Sequence, residues 1–277
     1  MTGGRVYAEG TLDTDLDTGV YAIYNSSTLM SETSITITGG TVETNVTGYS
    51  DGYGIYNSDH GYMEIHNLNV VTKAVNGKAY GIRCEFPSVI IAEINIQDSK
   101  INVMSENSDA YGIHNNYDGC ICIISGDINA ISNDGTSYWI YEKDEGVIRF
   151  ISGTIKSTST NGIGYGIYND ALAPIEIGDL GGTIDNDLLT IFGSTYGIYR
   201  NKGGYVFEDG KIQGPIKQSI SCTKGDLILP ENYGVIKTIK DGVETSTLMY
   251  DDTAATIESI NMTTGMANKQ TITVTGA

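Results

Sequence analysis

Tyr53-Gly54-Ile55-Tyr56-Asn57 recurs letter for letter at Tyr165-Gly166-Ile167-Tyr168-Asn169, and variants of the same five residues start at Tyr21, Tyr80, Tyr111, Tyr138 and Tyr196. Successive starts lie 32, 27, 31, 27, 27 and 31 residues apart, a unit of about 29 residues with slack in its length. A second marker runs in phase, a Gly-x-Ile/Val-like step centred on Val6, Val42, Val70, Ile101, Ile128, Ile155, Ile184 and Ile212. Eight units are therefore visible. Seven and five residues before the marker stand the pairs Ile35/Ile37, Met63/Ile65, Ile94/Ile96, Ile121/Ile123, Ile148/Phe150 and Tyr205/Phe207. Alternate apolar residues of this kind mark strands with one buried face. The pair Ile175/Ile177 sits two residues further from its marker, which predicts a small bulge or insertion near residues 178–182.

Each unit thus holds three short strands: the apolar pair, the marker and the Tyr-x-Ile segment. Three strands and three turns in about 29 residues fit one coil of a parallel β-helix, whereas a propeller blade needs roughly 40. The period-2 pattern excludes helical repeats. We expect an all-β, right-handed parallel β-helix of about eight coils over residues 1–222, a closing segment over 223–250, and a linker or last strand over 251–277. Thr2-Gly3-Gly4-Arg5-Val6 matches Thr38-Gly39-Gly40-Thr41-Val42, so the chain starts inside a repeat and a longer polypeptide is expected.

Composition agrees with strands and turns. The 277 residues include 35 Gly and 19 Tyr against 4 Pro, 4 Phe and 1 Trp. With 34 acidic and 16 basic residues the formal charge is −18, which repels nucleic acid and anionic membranes and keeps a long surface soluble. No stretch approaches the roughly 18 apolar residues of a membrane span, and the first residues are unlike a signal peptide. Either the protein is cytoplasmic, or its export signal lies outside this sequence.

The repeats resemble the Tyr-Gly-Ile-Tyr-Asn arrays of adhesin-like surface proteins of gut bacteria, over about residues 2–222. That resemblance implies a right-handed β-helix at the cell surface, partnered by a host or microbial glycan or surface protein and by neighbouring domains of the same polypeptide.

Alternation along the Tyr-x-Ile segment puts its first tyrosine on the inward face with the isoleucine. The outward column then reads Tyr24, Tyr56, Arg83, His114, Tyr141, Tyr168 and Tyr199, beside glycines at 54, 81, 112, 166 and 197 that would leave the rings uncovered. Such a ladder either stacks to stabilise the sheet or offers aromatic surface to sugar rings. Tyr141, Tyr168 and Tyr199 are three consecutive rungs, so a carbohydrate contact is expected there, with Tyr56 as an outlying rung. Asn25, Asn57, Asn115 and Asn169 follow at one register, where stacked amides bond along the coil axis and tolerate a left-handed backbone.

Other chemistry is thinly represented. Asp13, Asp15 and Asp17 suggest a calcium loop, but Thr18 and Tyr24 stand where an EF-hand needs Gly and Glu. The histidines are His60, His66 and His114. The outward positions Thr36, Glu64, Asn95, Cys122 and Arg149 offer no carboxylate pair of the kind glycosidases use, and Asp251-Asp252 lies outside the repeats. Cys84 and Cys222 share a register five coils apart, roughly 24 Å by strand spacing and beyond disulfide reach. Cys120 and Cys122 are expected on the solvent face, reactive toward thiol reagents. No metal or cofactor is expected, and no catalytic residue. The function expected is an adhesin-like binding or display module, with a passive stalk as the alternative and a carbohydrate-active enzyme or phage tail spike after that.

Overall fold

The computed structural model describes the chain apart from residues 1–2, 12–18, 27–33, 59–61, 86–92, 117–118, 145, 180–181, 183, 185–186, 219–226, 232, 251–256, 266–268 and 277. The described residues form 28 strands and no helix. Every third strand enters the same sheet, which gives three parallel sheets wound as a β-solenoid. The first sheet runs from Arg5–Gly10 through Thr41–Val46 to Lys211–Gln213, on the marker positions. The second runs from Val20–Asn25 to Ile216–Gln218, on the tyrosine segments. The third runs from Ser34–Thr38 to Leu227–Ile228, on the apolar pairs. About six turns are full, fewer than the eight units counted in the sequence. Each sheet does hold eight parallel strands, but the last ones shrink to two or three residues.

Register follows the repeat. Ile94 faces Met63 and Ile121, and Ile113 faces Ile82 and Ile140, each pair one coil apart. The inward isoleucines, valines and leucines pack into one continuous core along the stack. Parallel strands buried on one face this way are held both by ladder hydrogen bonds and by same-residue packing between coils.

Two sequence expectations fail in informative ways. The first concerns the marker after the strand Ile175–Ile177. The residue that pairs with Ile155 and Ile212 is Ile191, not Ile184. Fourteen residues separate Ile177 from Ile191, against five from Phe150 to Ile155, so the connection from third to first sheet is nine residues longer in this coil, a larger insertion than expected. Ile184 still lands against the core from within it, which is why its environment looked right.

The second concerns the tyrosine segment, where strict alternation breaks. Ladder pairing joins Tyr53 to Tyr80 and Ile55 to Ile82 and skips the glycine between them. A Cβ on Gly54 would lie 2.5 Å from Cγ1 of Val70 in the core. Gly54 and Ile55 therefore both point inward, a bulge that turns Tyr53 outward with Tyr56. Trp139 occupies the glycine position in one coil; its side chain is fully buried against Phe150 at 5.1 Å. The tyrosines at 53, 80 and 111 accordingly form a cluster of their own, separate from the core isoleucines.

The antiparallel hairpin Tyr233–Lys240 and Val243–Tyr250 turns at Asp241 and Gly242, both at positive φ, and extends the first sheet by pairing with Lys211–Gln213. Its Val235 and Leu248 close the core at that end. Strands Ile257–Gly265 and Lys269–Gly276 follow as a second hairpin.

Candidate functional site: a double aromatic ladder

The bulge converts one expected column of rings into two. The inner column holds Tyr21, Tyr53, Tyr80, Tyr111, Tyr138, Tyr165 and Tyr196, stacked one above the next at 4.7 to 5.6 Å between centroids. The outer column holds Tyr24, Tyr56, Arg83, His114, Tyr141, Tyr168 and Tyr199. Its ring pairs stack at 4.9 to 5.4 Å with planes within 5° of parallel. Within a coil the two columns meet edge to face, as for Tyr53 and Tyr56 at 5.3 Å or Tyr165 and Tyr168 at 5.2 Å. Strand spacing of about 4.8 Å sets the stacking distance, and T-shaped contacts across the coil match the ring quadrupoles.

The glycines expected to leave the rings uncovered instead line the interior. The inner rings are covered by the outer ones, so Tyr53, Tyr80 and Tyr111 are nearly inaccessible. Burial pushes their phenols well above the ordinary value. Polar anchors sit at the coil corner: the Tyr53 hydroxyl donates to Asp51 (3.3 Å) and the Tyr111 hydroxyl to Asp109 (3.2 Å). Tyr56, Tyr141, Tyr168 and Tyr199 are half-buried. Their faces lie against the neighbouring rungs, so edges and hydroxyls are what reach the surface.

Arg83 and His114 interrupt the tyrosines: His114 continues the ring stack to Tyr199, while Arg83 lies over the rings of Tyr56 and Tyr80. The Arg83 guanidinium lies 5.0 Å from the Tyr80 ring centroid, donates to the Tyr53 hydroxyl at 3.0 Å, and pairs with Glu85, which also accepts from the Tyr56 hydroxyl. His114 stacks on Tyr141 at 4.9 Å. Burial, with Arg83, Lys78 and Lys143 adding to it, holds its imidazole down to about 3. It serves as a neutral aromatic rung. Sequence reasoning placed both residues in the right column but missed Glu85 and the whole inner column.

The asparagine register is real and faces inward. Asn25 donates to Asn57 at 2.6 Å, and Asn115 donates to the fully buried Glu142 carboxylate at 3.0 Å. None of these asparagines is left-handed; among described non-glycine residues that conformation falls to Asn67, Asp98 and Asp241. Asn67 and Asp98 sit at the sharp corner from third to first sheet, at the level where other coils use glycines such as Gly39.

On the outer side of the third sheet, Cys120 and Cys122 are half-buried, with Cys122 between Asn95 and Arg149 as expected. Burial raises the Cys120 thiol to about 11. Cys84 is free and fully buried. A carboxylate pair does lie on this face, across two columns rather than along one. Tyr62 donates to Glu64 at 2.7 Å and accepts from Asn95, which also donates to Glu93 at 3.1 Å. Arg149 pairs with Glu176 at 2.6 Å. Asp13, Asp15, Asp17, His60, Cys222, Asp251 and Asp252 lie outside the described residues. Among those described, no three His, Cys, Asp or Glu side chains gather closely enough to hold a metal ion.

Comparison of the chain with protein-family models, curated proteins and solved structures returns no match.

Proposed function

We propose that the chain is a rigid display or spacer module of a larger bacterial surface polypeptide, akin to the adhesin-like arrays its repeats resemble, and that it performs no catalysis. The observation that supports this most is the continuity of the double ladder. Seven inner and seven outer rungs follow one another from coil to coil, so bending the stack would break aromatic contacts along its length. Each stacked pair contributes on the order of 1 kcal/mol, and a column of them resists shear that isolated strand pairs would not. In this reading Tyr56, Tyr141, Tyr168 and Tyr199 serve as structural rungs, because a sugar would need the ring faces that their neighbours already occupy.

The test is whole-cell immunolabelling of the source organism together with product analysis on a panel of polysaccharides. Surface labelling of intact cells without release of oligosaccharides supports the reading. Labelling only after lysis, or the appearance of new reducing ends, would overturn it.

A further inference from the structure

On the outer side of the first sheet, the strands Ser99–Ser105, Gly126–Ser132 and Gly153–Ser159 present two parallel columns of polar side chains. One runs Lys100, Asp127, Thr154; the other runs Asn102, Asn129, Lys156. Together they line a groove of about 530 Å³. Lys100 and Lys156 stand at opposite corners, two strands and two residues apart, which puts their Cα atoms about 12 Å from each other.

These groups are uncommitted. Lys100, Asp127 and Lys156 are exposed, and none has an ion-pair partner among the described residues, whereas Lys202, Lys211 and Lys237 all do. The Lys156 ammonium lies 5.8 Å from the Phe192 ring centroid, in the next coil of the same column. In the groove floor the side-chain oxygen of Asn129 is shut off from solvent and has no hydrogen-bond partner. Two lysines whose Cα atoms stand about a disaccharide's length apart can reach two acidic substituents on one chain. Asp127, Thr154 and the two asparagines suit hydroxyls, which both donate and accept. The lining has no aromatic face on which a nucleobase could stack. The overall charge of −18 opposes polyanions at long range, but at physiological salt the screening length is about 8 Å, so local lysines govern contact.

We propose that this groove binds an anionic polysaccharide, with its acidic groups on Lys100 and Lys156 and its hydroxyls on the exposed Asp127 and Asn102. The proposal does not depend on the display reading, since a cytoplasmic chain with the same groove would bind the same ligand.

The full chain, immobilised, is titrated with polygalacturonate (carboxylate), dextran sulfate (sulfate), neutral dextran and a single-stranded oligonucleotide. Retention of either polyanionic polysaccharide over dextran is expected, and whichever binds better identifies the acidic group. The pair Lys100→Ala/Lys156→Ala should lose at least tenfold in affinity. Lys202→Ala/Lys237→Ala, with the same change in charge, should stay within twofold. Lys100 and Lys156 are exposed, so their removal leaves the fold intact, and thermal unfolding of both double variants verifies that they are folded where binding is compared. Equal binding of dextran, equal loss in the two double variants, or an oligonucleotide that binds more tightly than both polysaccharides would each overturn the site.

Discussion

The outer face of the second sheet is spent on itself, while the outer face of the first is left open over its middle strands. Both are columns of side chains about 4.8 Å apart, repeated by the same coil. Tyrosine can occupy successive rungs because ring stacks on ring at that spacing, so the second sheet saturates its own surface. Lysine cannot, because like charges directly above one another repel. The first sheet therefore mixes its rungs, as in Lys100, Asp127 and Thr154, and its groups keep free valences for something else. Repetition builds stiffness where a side chain attracts its own copy, and leaves room for recognition where it does not.

The largest effect should come from the core that both faces share. Ile113 is fully buried beneath the ladder. Ile113→Asp places an unpaired carboxylate between coils and should cost ~4 kcal/mol, whereas Asn102→Asp on the groove should stay within ~0.5 kcal/mol. Chemical denaturation measures both. Equal stabilities would mean that the inward assignment of the isoleucine column is wrong.

Within the second sheet, the two ring columns should separate from each other. Tyr111 lies between Tyr80 and Tyr138 and under His114 and Tyr141, so Tyr111→Ala should cost ~3 kcal/mol, the usual scale for removing a buried aromatic ring. Tyr168 has one side toward solvent but stacks on two rings, and Tyr168→Ala should cost ~2 kcal/mol. If the two variants unfolded at the same denaturant concentration, the columns would not be layered as inner and outer.

The coil plan was legible because it repeats: the third-sheet pairs, the tyrosine register and the outward cysteines all fall where period and alternation put them. What alternation could not reveal was its own failure. A bulge at Gly54 reverses the side of Tyr53, and the signal for it was glycine itself, recurring where a Cβ would strike the core. Trp139 in that column argued the same way, since its large apolar ring gains more by filling the core than by standing beside an exposed ladder. The marker at Ile191 was hidden by an insertion, which shifts sequence spacing without shifting register. The groove was invisible because Lys100, Asn102, Asn129 and Lys156 belong to no repeated motif and become neighbours only across coils.

A last effect, absent at neutral pH, separates the faces as the pH is lowered. His114 stacks on Tyr141, meets Tyr111 and Tyr80 edge-on, and faces the cations Arg83, Lys78 and Lys143. Burial is the main reason its folded value falls to about 3, against about 6.5 in an unfolded chain. Between those two values the unfolded chain takes up a proton that the folded one refuses. The contribution to stability is therefore complete above about pH 6.5 and declines as pH falls toward 3. His114→Phe keeps an aromatic rung and removes the titration. Melting temperatures of parent and variant, compared at pH 7, 5 and 4, should diverge in the variant's favour as pH falls, while carboxylates elsewhere shift both alike. Parallel loss of stability in the two proteins would show that His114 accepts its proton in the folded ladder. The rung would then be as open to solvent as the lysines of the groove.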